Sequence, residues 1–512
     1  MNQSEASVTL AKPAPARSYS ELERRFRRLA LINEARAMLH WDWATMMPAG
    51  GADARGEQLA ELSVIAHEQI TDPALSDLLD QADAEACRLS AWQRANLREM
   101  RREWRHAAAL PSDLIEARSR ATSVCEMIWR EARPANDFAR LVPSLNEVVH
   151  LTREIAVAKS ELMACTPYDA LLDRYEPDGR AAEIDVLFAD LAKFLPDFTE
   201  RALDHQRRQV APLPIPGPFP VDQQRALSER LMATLGFPFH QGRLDLSHHP
   251  FSGGNPDDLR ITTRYDENDF ATGLMAVLHE TGHALYEFGL PRDWRYQPVG
   301  TARGMSIHES QSLLVEMQAC RSREFLGFAA PLIREAFGQV GPAWTDENLF
   351  RLNTLVAPGL IRVDADEVTY PSHVIMRYRL ERAIIDGDLA IADLPGAWHQ
   401  GMAELLGLTP PDDRDGCMQD IHWVGGDFGY FPTYTLGAMT AAQLFATAKE
   451  DDPAIMAGLG VGDFRPLFAW LKTHVHGLGS SLSGAEMLTR ATGQTLTTEV
   501  FKRHLTERYL AF

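Results

Sequence analysis

The chain has no uninterrupted apolar stretch long enough to span a bilayer as a helix. Nor does Met1 to Arg17 hold an apolar segment of the kind a secretory leader needs; with Pro13 and Pro15 it is expected to be a short flexible lead. Cysteine is scarce: Cys87, Cys125, Cys165, Cys320 and Cys417 are scattered, odd in number and without CxxC spacing. That argues against a disulfide framework and a thiolate metal site, and for a reducing, cytoplasmic compartment. Positive charge is in deficit, 51 Lys+Arg against 71 Asp+Glu for a net charge of −20, so nucleic acid and anionic membrane surfaces are poor partners. Alternating apolar runs, internal repeats and low-complexity blocks are missing too, with one exception: Leu259 to Tyr265 alternates and is rich in β-branched residues.

What is present is helical periodicity over most of the 512 residues, 45% of them hydrophobic. Ser18-x-x-Glu21 matches a capping box opening a helix on Leu22, Phe26, Leu29 and Ile32, and His40-Trp41-Asp42 through Gly51 is expected to break it. Further helices are expected over 90–109, 112–133, 137–165, 181–208, 306–328, 331–337 and 371–386. Ala211 to Pro220, with proline at alternate positions, is expected to be a stiff strap across the surface of a single helical domain covering 18–512.

One stretch carries chemistry. His279-Glu280-Thr281-Gly282-His283 reads as H-E-x-x-H within an apolar helix from Phe270 to Leu290, with Asn268 or Asp269 as N-cap and Gly289 and Pro291 as stop. Residues four apart share a helical face, so both imidazoles can reach one ion while Glu280 reaches a water beside it. The bland alternative is a core helix with two hydrogen-bonded histidines. A catalytic site needs a third ligand. Glu309, 26 residues beyond His283, can return on the next helix, yet Ser306-x-x-Glu309 is also a capping box, and His308 is a further candidate.

Six ordered motifs widen the reading: His249-Pro250-Phe251, Asp258-x-Arg260-x-Thr262, His279-Glu280-x-x-His283, His308-Glu309-Ser310-x-Gln311, Ile361-Arg362-x-x-Ala365-Asp366 and Gly416-x-x-Gln419-Asp420-x-His422-Trp423. Together they resemble the signature set of the carboxypeptidase Taq family of zinc metallopeptidases, and the likeness runs nearly the length of the chain. The resemblance implies a mainly α, saddle-like helical gluzincin fold with a deep groove and a small antiparallel sheet next to the metal site. It implies Glu309 as third ligand, one Zn²⁺ (or Co²⁺) per subunit, a homodimer, and release of C-terminal residues from peptides with broad specificity.

On that reading Glu280 is the general base and Arg362 the cation for a free C-terminal carboxylate, since a planar guanidinium matches a carboxylate bidentately. Blandly, Arg362 would instead pair with Asp364 or Asp366. Tyr434 is the candidate phenol for the carboxylate or the oxyanion, with Tyr430 in reserve; His422 could orient a ligand or donate to the intermediate. His249 and Arg260 are expected on the groove wall, and Asp366 behind the site. Leu313 and Val315, where the family often has arginine and an aromatic, and Pro371-Ser372 for a usual Asn-Leu, bear on substrate preference. A helical endopeptidase or oligopeptidase would share the two histidines and both glutamates, and a non-catalytic scaffold on a peptidase fold is the reading outside enzymes.

Overall fold

The computed structural model describes residues 17–511. The lead expected over 1–17 lies outside them, save Arg17, which begins the first helix. That helix, Arg17–Thr45, runs on through His40-Trp41-Asp42, where a break was expected, and ends ahead of Met47-Pro48. Ser18 is buried in its first turn rather than serving as a cap. Continuity has a packing cause: Trp41 is 4% exposed, with the guanidinium of Arg260 4.4 Å from its ring centroid. Burying that indole stabilises by about 2 kcal/mol or more, which outweighs a weak local break signal.

Helices dominate, as expected, and the apolar side chains gather in four cores. One holds the first helix against Pro73–Ala84 and Ala91–Ala108 through Tyr19, Leu22, Leu79 and Met100. A second joins Phe138–Met163, Ala181–Arg207, Tyr370–Asp386 and the C-terminal Thr498–Leu510. The other two meet on the helix Phe270–Gly289, called the histidine helix below. Leu274, Leu278 and Leu285 face helical neighbours, whereas Val277 and Ala284 face a small sheet. A helix apolar on both sides is buried on both sides, so His279 and His283 are carried on an element packed from two directions.

The sheet has β1 (Gly242–Leu246), β2 (Phe251–Asn255) and β3 (Asp258–Thr263) in the order β1-β3-β2. It is mixed, not purely antiparallel: β2 pairs antiparallel with β3, Phe251 opposite Thr262, while β1 runs parallel to β3, Gly242 opposite Leu259. The parallel pair arises because β1 enters from the preceding helix and reaches the far edge of β3. Gly254 allows the tight β2–β3 turn; its φ is +87°, and a Cβ there would lie 1.9 Å from the Asp258 carbonyl oxygen.

Ala211 to Pro220 is extended, as a strap should be. Asn348 donates to the Leu213 carbonyl and accepts from the Leu213 N–H, and Phe219 anchors the far end in the core. The helix expected over 306–328 is instead interrupted: Met305–Leu313, a π-helical Leu314–Cys320, then Arg323–Phe337, which absorbs Pro331. All five cysteines are free. Among the described residues no helix is long and apolar enough to cross a membrane.

Candidate active site

Asp269 caps the histidine helix, accepting from the Ala271 and Thr272 N–H groups, and the helix ends at Gly289. Its neighbour Met305–Leu313, the glutamate helix, starts after Gly304, and Ser306 makes no cap there. The Ser306 N–H instead donates to Glu176, which frees Glu309 from the capping box its sequence suggests. Glu309 turns towards the histidines, with Oε1 3.9 Å from His279 Nε2 and Oε2 3.5 Å from His283 Nε2.

Two glycines permit this approach. A Cβ at Gly282 would lie 2.7 Å from the Gln311 carbonyl oxygen, so the histidine and glutamate helices pack at backbone contact. Gly437 lies on the helix Pro432–Asp451, the tyrosine helix, which crosses behind Glu309. Each clears space that any larger residue would fill.

The three donor atoms of His279, His283 and Glu309 all lie within 4.8 Å of one another. Ligands on a tetrahedral ion with bonds of about 2.0–2.1 Å stand about 3.3 Å apart, so this donor set fits a divalent cation with little movement. His279 Nδ1 lies 3.0 Å from Glu316 Oε2, an arrangement that puts the proton on Nδ1 and leaves Nε2 to bind metal. Glu316 is held in turn by Arg321 at 2.6 Å. His308 is diverted. It stacks on His283 at 4.4 Å, and its Nε2 meets Glu287 at 3.1 Å.

Electrostatics favour a cation at this point. Burial works against a charged His279, but Glu309 and the Glu316 hydrogen bond outweigh it and raise its pKa to about 10. Burial, with His308 alongside, takes His283 down to about 3. Burial also opposes ionisation of Glu309, yet the imidazoles hold it at about 2. Glu280 is 8% exposed, and burial lifts its carboxyl above the usual range against the opposing pull of His279. A buried carboxylate with raised proton affinity is suited to take and return a proton.

His279, Glu280, Glu309 and Glu316 line a cavity of about 600 Å³ together with Arg362, Tyr370 and Tyr434. Arg362 is 5% exposed and pairs with Asp420, from Nε at 3.1 Å and Nη2 at 2.8 Å, rather than with Asp364 or Asp366. Its Nη1 donates to the Tyr370 hydroxyl at 2.7 Å. Asp420 also accepts from Arg377 at 2.7 Å, so one carboxylate fixes two guanidinium groups. Asp366 accepts from the Val368 and Thr369 N–H groups and the Thr369 hydroxyl, which holds a loop at the cavity wall.

Tyr434 has its ring centroid 5.1 Å from the Arg362 guanidinium carbon and its hydroxyl 3.4 Å from His422 Nε2. Tyr430 packs edge-on against Tyr434 at 5.3 Å and does not line this cavity. His249 is exposed in the β1–β2 connection, where its carbonyl accepts from Ser247. Arg260 departs from the expected position on the groove wall. It pairs with Asp258 at 2.8 Å on the face of the sheet turned to Trp41, away from Leu259 and Ile261, which pack against the histidine helix. Alternation along a strand sets only that Arg260 and Ile261 face opposite ways; the packing of the first helix decides which side becomes groove.

Glu316, Gly437 and the Asp420 clamp were missed from the sequence. Glu316 had a legible signal, lying seven residues beyond Glu309 and so on the same helical face. Gly437 had none.

An H-E-x-x-H helix, a glutamate from its neighbour and a flanking cavity of ligand size define a metallopeptidase. The comparisons go further. The family model of the carboxypeptidase Taq (M32) metallopeptidases matches residues 21–509. Thermostable carboxypeptidase 1 of Thermus thermophilus is 37% identical, covering 97% of this chain and 99% of that protein. Carboxypeptidase 1 of Bacillus subtilis is 33% identical, over 94% and 96% respectively. The structure of Trypanosoma cruzi metallocarboxypeptidase 1 superposes with a TM-score of 0.94 at 41% identity, covering 96% of this chain and 99% of that one. The chain belongs to the carboxypeptidase Taq family, and is a metal-dependent carboxypeptidase.

Proposed function

We propose that the enzyme removes C-terminal residues from peptides with broad specificity, using His279, His283 and Glu309 as ligands to one zinc ion per subunit, cobalt being the alternative. The observation that carries the reading is a three-donor cluster of His279, His283 and Glu309 opening through His279 and Glu309 onto a cavity that also holds the buried Glu280 and a fixed Arg362. The proposal includes a single helical catalytic domain over 18–512, a homodimer and a cytoplasmic location. These rest on the family likeness and, for location, on five unpaired cysteines.

A divalent cation at this site supplies Lewis acidity towards water and a scissile carbonyl. Glu280 accepts the water's proton as the oxygen attacks and returns it to the leaving amine. Arg362 binds the substrate's terminal carboxylate, pre-oriented by Asp420 so that little side-chain freedom is lost on binding. Tyr434, positioned by Arg362 and His422, donates to the carboxylate or to the developing oxyanion. His422 supports that phenol, and Tyr430 holds its far side. His249, exposed in the β1–β2 connection, would meet only longer peptides. Cavity walls mix Met275, Leu313 and Leu355 with polar groups, in keeping with varied side chains.

Time-resolved mass spectrometry of a mixed peptide pool, with and without chelator, tests the reading. Ladders losing one C-terminal residue at a time, abolished by chelation, support it; internal cuts would turn it into an endopeptidase, and a pool left intact by metal-loaded protein would leave only a scaffold.

A further inference from the structure

A second concave site stands apart from the metal donors. The helices Ser112–Ala135 and Phe138–Met163 flank a cavity of about 380 Å³, closed by Arg174-Tyr175 and the Gly425–Gly426 turn. In a chain of net charge −20, its lining includes Arg118, Lys159 and Arg174 and no carboxylate. Lys159 is 5% exposed and makes no hydrogen bond or ion pair with any described residue.

The nearby acids are engaged elsewhere. Asp173 is held by Arg102 at 3.0 Å and His106 at 2.8 Å. Asp427 accepts from the Tyr175 hydroxyl at 2.8 Å and approaches Arg118 only to 4.0 Å. Arg118 donates from Nη2 to the Gly426 carbonyl at 3.1 Å, and Arg174 lies over the Tyr175 ring with no ion pair to any described residue. An unpaired ammonium out of water is costly; burial lowers the Lys159 pKa to about 7, with Arg174 and Arg118 adding to the fall. Three basic side chains facing one hollow whose lining holds no carboxylate, with Asp427 reaching only Arg118 and only at 4.0 Å, is the electrostatic signature of an anion site.

We propose that this cavity binds one oxyanion group, a phosphate or a carboxylate, through Lys159, Arg118 and Arg174. The group can come from free inorganic anion or from an acidic side chain of a peptide substrate. Tyr175 lines the hollow and packs edge-on at 5.0 Å against Tyr430, which in turn packs on Tyr434, so an occupant would sit two rings behind the Tyr434 wall.

The test uses the metal-loaded full chain. Calorimetric titration with inorganic phosphate at constant ionic strength should show one saturable site, weakened at least tenfold in Lys159→Met and in Arg118→Gln. In chloride, Lys159→Met should melt at or above the wild-type temperature, because an unpaired buried charge gives way to an apolar chain of similar length; that separates lost binding from lost fold. A second arm compares kcat/KM for peptide pairs bearing Glu or Gln at successive positions. If Lys159→Met depresses only the Glu member, at least tenfold, the oxyanion belongs to the substrate; phosphate binding without that effect assigns it to free anion. The inference is overturned if Lys159→Met matches wild type in both arms, including phosphate binding that persists undiminished.

Discussion

A Cβ on Gly437 would stand 2.9 Å from both Cβ and Cγ of Glu309. The tyrosine helix therefore sets the depth to which Glu309 reaches towards His279 and His283, although Gly437 touches neither histidine by sequence or motif. Gly437→Ala should push the carboxylate off its position. We expect a stability loss of about 1–3 kcal/mol from overpacking, with metal affinity falling at least tenfold. Chelator-competition titration of a variant shown to be folded by circular dichroism checks it; unchanged affinity would mean that the helices slide apart without moving Glu309.

Glu280→Gln keeps the shape and removes the base. Metal content should stay at the wild-type level while kcat drops by roughly 10²–10⁴. Mass-spectrometric metal analysis beside steady-state kinetics decides the matter, and retained turnover would falsify the general-base role.

Glu316→Ala removes the acceptor for His279 Nδ1 and leaves Arg321 without its 2.6 Å partner. Second-tier partners of this kind typically contribute about 10–100-fold in metal affinity. The expected phenotype is lower affinity with near-normal kcat at saturating metal, whereas loss of kcat at full occupancy would point to a direct part in the chemistry.

Arg362→Gln tests terminal recognition. Wild type should hydrolyse free-carboxylate peptides at least 100-fold better, by kcat/KM, than their C-terminal amides, and the variant should erase most of that ratio. Arg377 continues to neutralise Asp420, so the fold should survive. An unaltered ratio would move carboxylate recognition to another residue.

Glu381 gives a pH prediction for stability. It is fully buried, hydrogen-bonded to Tyr168 and Trp423, and burial lifts its pKa to about 8. The folded pKa exceeds the unfolded value of about 4.3, so its contribution is complete below the unfolded pKa and is lost as pH rises through about 8. Wild-type Tm should fall between about pH 5 and 8 and level off above that, and Glu381→Gln, neutral throughout, should flatten that decline. Parallel curves for the two proteins would show that Glu381 ionises without cost.

Much of the architecture was legible because helical periodicity is local: each apolar side chain at three- or four-residue spacing reports its own face. The same locality misled at His40–Asp42, where a weak break signal yields to the burial of Trp41, and at 306–328, where a π-helical turn interrupts a pattern that periodicity reads as continuous. The sheet was recognisable in β3 alone. That β1 lies parallel to it depends on which edge the chain reaches, and no short-range pattern encodes that.

For the site, the sequence by itself determined the chemistry: H-E-x-x-H on a capped helix fixes two imidazoles and a carboxylate on adjoining faces through a 3.6-residue repeat. It left Glu309 divided between ligand and cap, and Arg362 between substrate and a local aspartate. Tertiary structure decided what each of these side chains meets. Glu176 takes the Ser306 N–H and releases Glu309, Gly282 and Gly437 open the space it turns into, and Asp420, 58 residues away, holds Arg362 at the cavity. Those choices depend on packing between elements distant in the chain, where close contact and desolvation, rather than spacing, select the partner.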